Sequence, residues 1–156
     1  MSQEITVLYI IDKAIEKEVE AQNMYHDLET KTTEPAAKDM FRQLTNVEKK
    51  HEDLLRRYLA GDLGDEGLKK DAVLDYRIAE HFNAPEVTPG MALADVLLLA
   101  ANRERASHEL YASLAAAQPE GRARQLFEDL ANQELDHKHR MEDYYTDVAF
   151  PQTSGG

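Results

Sequence analysis

The sequence predicts an all-α fold, an antiparallel four-helix bundle with a long crossover between the second and third helices. Three observations predict it: helical periodicity of the apolar residues, short joins within each helix pair, and a repeat at a fixed offset. Twelve residues between Ala14 and Tyr58 recur, identical, 86 positions later. A fixed offset that extends over two helical segments marks a duplicated helix pair.

The first predicted helix extends from about Glu4 to Lys31, and its inward positions recur at alternating steps of four and three residues, as in a bundle helix. The second begins near Thr33, with that threonine as its cap and Pro35 in the first turn, and it ends at Gly61. The short join between the two helices makes them antiparallel neighbours.

The third predicted helix starts at Thr88 and Pro89, again a cap with proline just inside, and the fourth opens after Pro119. Residues 61–88 separate the two pairs, and a helix of about 27 residues is about 40 Å long. A connector of that length can return along the bundle and form a crossover, which is the ferritin-like topology. We expect a short helix within residues 70–82.

The chain is expected to form one domain, because 156 residues can bury a substantial core in a single unit. The domain covers residues 1–148, with helix pairs at 4–60 and 89–147 and the crossover at 61–88. Residues 149–156 are expected to form a flexible tail.

Composition argues against several classes of function. The net charge of −12 argues against nucleic acid and against an anionic membrane surface, since both bind basic proteins. The sequence contains no cysteine, which excludes thiolate metal sites and iron–sulfur clusters and fits a reducing cytoplasm. The N-terminus has no signal-peptide pattern, and the longest strongly apolar stretch, 91–101, is too short to cross a bilayer. We therefore expect a cytoplasmic protein.

Charged and polar residues occupy core positions in all four predicted helices. They are Glu18, Glu48, His51, Glu104, Glu134 and His137. Isolated buried carboxylates are costly, and these inward positions contain no lysine or arginine that could pair with them. Two divalent metal ions would balance the charge, since the four carboxylates carry −4 and two such ions carry +4. We therefore predict that these six residues are metal ligands.

The spacing supports a two-metal site. In Glu-x-x-His, positions i and i+3 project from one helix face, so the carboxylate can bridge two metals while the histidine binds one. Two helices with this motif and two with a single glutamate match the di-iron and di-manganese carboxylate bundles. Imidazole with carboxylate suits iron or manganese and leaves the choice between them open.

Tyr25 and Tyr111 lie seven residues after Glu18 and Glu104, two turns along the same face. A phenol at that place can hydrogen-bond a ligand carboxylate or supply an electron; the alternative is a pair of core tyrosines. We favour the hydrogen bond, because both repeats carry tyrosine where phenylalanine would pack.

Other acidic and histidine side chains lie off the inward face, and we expect them to be solvated. These are Glu52, Asp53, His139 and Glu142. His26, His81 and His108 have no repeat partner and no acidic cluster in register, so they are expected at the surface.

At its glutamates and histidines the chain resembles the rubrerythrin family of the ferritin-like superfamily, over about Glu4 to Asp147. The matching residues are Glu18 with Glu48-Lys49-Lys50-His51 and Glu104 with Glu134-Leu135-Asp136-His137. The resemblance implies two iron ions per bundle, bridged by Glu48 and Glu134. The terminal ligands would be Glu18 and Glu104, with one ion each bound by His51 and His137.

The sequence departs from that family in two respects. Rubrerythrins proper carry a rubredoxin domain, whose cysteines hold the iron that supplies electrons, and this chain has no cysteine. They also carry an extra carboxylate one turn from the third-helix ligand, where this chain has Ala101 and Ser107. The resulting symmetric set of four glutamates and two histidines is closer to the ferroxidase centre of bacterioferritins.

The resemblance implies a di-iron oxidoreductase that reduces hydrogen peroxide, or dioxygen, with electrons from an external donor protein, in defence against oxidative stress. Two alternatives share the ligand types: a ferroxidase or iron-storage protein of the ferritin type, and a dimanganese catalase-like enzyme. A metal-free interaction module is a third alternative. The active form is expected to be a homodimer or a higher homo-oligomer.

Overall fold

Four long helices form most of the described part of the protein. The computed structural model describes residues 4–61, 73–75 and 91–151. The helices are α1 (Val7–Lys31), α2 (Pro35–Ala60), α3 (Leu93–Ala116) and α4 (Arg122–Ala149). α1 packs along α2 and α3 packs along α4, and each pair is antiparallel because its join is short. The predicted all-α four-helix bundle is confirmed.

A short strand precedes α1, although the sequence predicted helix from about Glu4. Strand β1 (Glu4–Thr6) pairs antiparallel with strand β2 (Val73–Asp75) of the crossover. α1 begins only after Thr6, whose hydroxyl accepts a hydrogen bond from the N–H of Tyr9 at 3.3 Å. Threonine is a good helix cap, and β-branched residues favour extended backbone, so the helix starts later than its apolar pattern.

The crossover contains β2, so a short helix within residues 70–82, as predicted, cannot include 73–75. The other residues of that predicted helix lie outside the described part. The apolar contacts place the end of α2 beside the start of α1, and the start of α3 beside the end of α1. The connection between α2 and α3 therefore joins opposite ends of the bundle, as the crossover prediction requires.

α2 has the predicted end and nearly the predicted start. Its N-cap is Glu34, not Thr33, and the cap makes no side-chain hydrogen bond; Pro35 occupies the first helical position and has no N–H to satisfy. The helix ends at Gly61, whose φ of 80° is left-handed and whose N–H donates to the carbonyl of Tyr58 at 3.1 Å.

α3 begins at Leu93, after Ala92 in extended backbone with φ −65° and ψ 147°. The start predicted at Thr88 and Pro89 lies outside the described residues, and the extended Ala92 separates that segment from the helix. α4 begins shortly after Pro119, as predicted.

Two apolar clusters fill the bundle, one towards each end. The first contains residues such as Ile10 and Phe127, and it joins the start of α1 and the end of α2 to the end of α3 and the start of α4. The second contains residues such as Phe41 and Leu97, and it joins the opposite ends of the same helices. Between the two clusters lies a polar layer at mid-bundle.

The C-terminal end of α4 and the composition of the helices test two remaining predictions, the flexible tail and the lack of a membrane-spanning segment. α4 continues through Ala149, so the first residue of the predicted tail is helical, while residues 152–156 lie outside the described part. None of the described helices combines the length and the hydropathy needed to cross a membrane. The domain limits stay a prediction.

Candidate metal centre

The polar layer brings together all six residues that the sequence predicted as metal ligands. Each side chain is between 1% and 3% exposed. α1 and α3 contribute one glutamate each, and α2 and α4 contribute a Glu-x-x-His pair each. They are Glu18, Glu48, His51, Glu104, Glu134 and His137. Their role as metal ligands stays a prediction, for which this convergence is the structural basis.

The six side chains form two overlapping groups, each with four donor atoms within 4.8 Å of one another. The first group is Glu18, Glu48, His51 and Glu134, and the second is Glu48, Glu104, Glu134 and His137. Glu48 and Glu134 belong to both groups, which is the placement that bridging carboxylates need.

Each histidine lies closest to a glutamate of the other repeat. His51 Nδ1 is 2.8 Å from Glu134 Oε1 and 3.5 Å from Glu18 Oε1. His137 Nδ1 is 2.8 Å from Glu48 Oε1. The two rings are 6.2 Å apart and inclined by only 14°, so they face each other across the carboxylates. The site is therefore shared between the two helix pairs.

Several buried atoms of the layer have no hydrogen-bond partner, and this fits a metal ion. His51 Nε2 lies 2.8 Å from Gln133 Oε1, an amide oxygen that only accepts, so Nε2 carries the hydrogen. Nδ1, on the inner side of the ring, is then the nitrogen that can give up its proton and offer a lone pair to a bound cation. The atoms without a hydrogen bond are Glu18 Oε2 and Glu104 Oε2, together with His51 Nδ1 and Glu134 Oε1, which lie 2.8 Å apart with no hydrogen bond between them. Such atoms are costly when buried, and a bound cation would satisfy their lone pairs.

Burial and mutual repulsion perturb the carboxyl pKa values. Desolvation, reinforced by neighbouring carboxylates, raises the pKa of Glu18 and of Glu134 well above the ordinary range. Glu48 is also desolvated, but hydrogen bonds with Glu18 and the two histidines outweigh this and lower its pKa. In the metal-free protein the layer therefore retains protons that a divalent cation would displace.

The histidine pKa values shift upward because carboxylates surround both rings. Desolvation alone would lower the pKa of His137, but hydrogen bonds with Glu104 and Glu48 outweigh it and raise the pKa to about 9. Desolvation also opposes protonation of His51, but the nearby carboxylates, of which Glu134 has the largest effect, outweigh it and raise the pKa of this histidine.

Both predicted tyrosines donate hydrogen bonds to carboxylates of the layer, and they do so across the repeat. Tyr25 of α1 donates to Glu104 of α3, and Tyr111 of α3 donates to Glu18 of α1. Desolvation, followed by the charge of the acceptor glutamate, raises the pKa of both phenols well above 10. The tyrosines are therefore protonated donors that hold the two unshared glutamates; a direct catalytic role stays a prediction.

A cavity between α1 and α3 leads to the four carboxylates. It has about 30 Å³ in which the centre of a water-sized molecule fits, enough for a very small substrate. Lys17, Arg103 and Ser107 are part of its wall. Glu20 joins the two cations, with Oε2 at 3.1 Å from Lys17 Nζ and 3.1 Å from Arg103 Nη1.

Sequence reasoning did not assign a role to Lys17 or Arg103, because neither lies on the inward face. The repeat carried a signal: each residue directly precedes a predicted terminal ligand, and the two lie 86 positions apart. Arg103 Nε is buried without a hydrogen-bond partner. Arg103 therefore combines a place in the cavity wall with a buried N–H that has no hydrogen-bond partner.

Two predictions for residues off the inward face are wrong. Glu52 was expected to be solvated but is 7% exposed, because it packs against α1 and accepts a hydrogen bond from Gln22 at 3.0 Å. His108 was expected at the surface but is half-buried, with Nδ1 2.7 Å from the carbonyl of Ala131. The other predictions are confirmed within the described part: the exposed residues are His26, Asp53, His139 and Glu142. His81 lies outside the described residues.

The sequence of the chain matches a known protein family over most of its length. A family model described as Rubrerythrin matches residues 9–145. The chain belongs to the rubrerythrin family. Membership in the rubrerythrin family, together with the buried glutamates and histidines, supports a di-iron protein.

The structure of this rubrerythrin-family chain is similar to the solved structure of a hypothetical protein from Pyrococcus furiosus. The TM-score is 0.72, with 24% sequence identity over 92% of this chain and 90% of that chain. At this identity the likeness supports the fold alone. No curated protein matches the chain.

Proposed function

We propose that this rubrerythrin-family protein is a di-iron oxidoreductase that reduces hydrogen peroxide to water, with electrons from a separate donor protein. The observation that carries the proposal is the buried layer of six ligand-type side chains, arranged as two groups that share Glu48 and Glu134. A small cavity leads to this layer, and buried atoms in it lack partners that a cation would supply.

The residues would divide as the two groups suggest. Glu48 and Glu134 would hold both ions, Glu18 and His51 would complete one position, and Glu104 and His137 would complete the other. Bound ferrous ions would supply the two electrons that, with two protons, convert hydrogen peroxide into two water molecules.

The protein's own contribution is to orient the ligands and to control access. Tyr25 and Tyr111 hold Glu104 and Glu18 by hydrogen bonds, so these carboxylates do not rotate freely. The cavity is small, with about 30 Å³ open to the centre of a water-sized molecule, so hydrogen peroxide is among the few substrates of suitable size. Arg103 lines the cavity and places a positive charge beside the carboxylates at its wall. We further propose that the protein is cytoplasmic and protects against oxidative stress.

A ferroxidase function is the second candidate, and one observation favours it. The third-helix positions one turn from Glu104 are Ala101 and Ser107, so the layer has no seventh carboxylate within the described residues. A symmetric set of this kind resembles ferroxidase centres. A dimanganese catalase-like enzyme would use the same side chains, and metal content would separate it.

The test is anaerobic loading with ferrous iron followed by rapid mixing with hydrogen peroxide. We expect two irons per chain, oxidised by peroxide much faster than by dioxygen and faster than free ferrous iron. Iron uptake far above two per chain in a large hollow assembly would support storage instead, whereas a dimer would not. Oxygen evolution with bound manganese would support the catalase-like alternative.

Two variants on α4 provide a matched comparison. Glu134→Ala removes a shared carboxylate and should abolish binding of an iron pair. Glu142→Ala removes an exposed carboxylate that pairs with Lys138 at 2.7 Å, and it should leave binding intact. If both variants bind iron like the original protein, the buried layer is not the metal site.

A further inference from the structure

The internal repeat places two chemically different residues directly before its two Glu-x-x-His motifs. Gln133 precedes Glu134 in the second copy, and the residue 86 positions earlier is Val47. The two positions are structural equivalents in a bundle whose ligands otherwise match between copies. Glutamine can accept a hydrogen bond, and valine cannot.

In the structure this difference reaches one of the two histidines. Gln133 Oε1 lies 2.8 Å from Nε2 of His51, on the side of the ring away from the carboxylates. Because an amide oxygen only accepts, this contact keeps a hydrogen on Nε2, so Nδ1 is the nitrogen left with a lone pair when a cation displaces a proton from the ring. That is the form in which imidazole binds a cation through Nδ1.

His137 has no equivalent support. Its Nδ1 faces Glu48 at 2.8 Å, but its Nε2 has no hydrogen-bond partner among the described residues. Val47, which takes the place of glutamine, lines a surface pocket together with His137 and Leu44. This ring is held by packing and by its carboxylate neighbours, with no protein acceptor to fix its tautomer.

We propose that the two metal positions are inequivalent, with the His51 position binding its ion more tightly and filling first, and that Gln133 is the positioning residue responsible. The proposal rests on the proposed metal centre. A hydrogen bond to the outer nitrogen of a ligand histidine fixes the ring and raises its basicity, and its loss typically lowers metal affinity by about 10- to 100-fold. The difference between the two positions should be of this order.

The repeat itself supplies the variants for a test. Gln133→Val makes both copies like the first, and Val47→Gln makes both copies like the second. Gln133 is exposed and Val47 is half-buried beside a surface pocket, so both variants should fold, which circular dichroism checks. Gln43→Val is the matched control, because Gln43 is an exposed glutamine in the same pocket with no histidine contact.

Calorimetry with zinc, which replaces iron without redox chemistry, measures the two binding steps. Gln133→Val should weaken the tighter step by about tenfold or more, and Val47→Gln should strengthen the weaker step by a similar factor. Gln133→Glu, which keeps an oxygen that can accept the hydrogen bond, should retain the tight first step that Gln133→Val loses. The shared carboxylates couple the two ions in every variant, so the two steps can differ in affinity even at equivalent positions. The test is therefore the change in zinc affinity between variants, and not the difference between the two steps in one protein.

A residue-specific readout identifies the histidine concerned. Nuclear magnetic resonance of the zinc-loaded protein should detect one slowly exchanging ring N–H, from His51. Val47→Gln should add a second such signal from His137, and Gln133→Val should remove the first. Unchanged affinities and signals in Gln133→Val would overturn the inequivalence while two zinc ions still bind. No zinc binding in any variant would overturn the metal centre itself and, with it, this inference.

Discussion

The crossed hydrogen bond from Tyr25 to Glu104 makes a quantitative prediction about stability. Tyr25 is 0% exposed and Glu104 is 2% exposed, so water cannot replace the hydroxyl when it is removed. A hydrogen bond to a charged group contributes about 1.5–3 kcal/mol. We therefore expect Tyr25→Phe to lower the free energy of unfolding of the metal-free protein by about 2 kcal/mol.

Urea unfolding followed by circular dichroism measures this change. Tyr9→Phe is the control, because Tyr9 is 47% exposed and its ring, not its hydroxyl, lies near Lys13. The control should leave the free energy of unfolding nearly unchanged. If Tyr25→Phe is as neutral as Tyr9→Phe, the buried hydroxyl does not contribute the bond that the geometry indicates.

A double-mutant cycle tests the crossing itself. Combining Tyr25→Phe with Glu104→Gln should give a coupling of about 1 kcal/mol, since the second change removes the charge that strengthens the bond. Combining it with Glu18→Gln, on the tyrosine's own helix, should give a coupling near zero. The reverse pattern would show that each tyrosine serves its own repeat.

Three further predictions concern single side chains. Hydrogen bonds, chiefly from Gln22, lower the pKa of Glu52 to about 2, so its stabilisation is present above the unfolded value of about 4.3 and is lost as pH falls through about 2. Unfolding at several pH values should show Glu52→Gln destabilised by about 1 kcal/mol at pH 7, with the difference gone near pH 2. Gly61→Ala should cost about 1 kcal/mol in thermal unfolding, from its φ of 80° alone, since an added Cβ meets nothing within 4 Å. Arg103→Ala should widen the cavity, so the rate at which tert-butyl hydroperoxide oxidises the bound ferrous iron should rise relative to the rate with hydrogen peroxide. The same change at exposed Arg105 should leave the ratio of the two rates unchanged.

The fold and the six-residue layer were predictable because the same helical pattern, with the same buried glutamates and histidine, occurs in both copies of the internal repeat. Burying Glu48 or Glu134 among apolar residues costs free energy unless a partner compensates the charge. Carboxylates at core positions in both copies therefore indicated a shared site. The periodicity of an amphipathic helix is local, and local patterns determine which face is buried. Those two signals sufficed to place every side chain of the layer.

The contacts that the sequence did not reveal depend on how the helices pack against one another. The spacing of Tyr25 from Glu18 indicated a hydrogen bond to a ligand carboxylate but not to which one, and antiparallel packing of α1 on α3 brings the phenol to Glu104. Glu52 lies off the inward face, and its contact with Gln22 on α1, which accounts for its burial against that helix, could not be read from the sequence. The pairing of β1 with β2 joins distant segments, which no local pattern encodes.

Neither helix pair holds a complete set of donor atoms by itself. Each four-residue group takes three members from one copy and one from the other, and each tyrosine serves the opposite copy. A polypeptide with a single helix pair could therefore close such a site only by associating with a second copy of itself. The duplicated chain carries that association within one molecule, so its two halves can no longer separate on dilution, and each copy is free to diverge as Val47 and Gln133 have done.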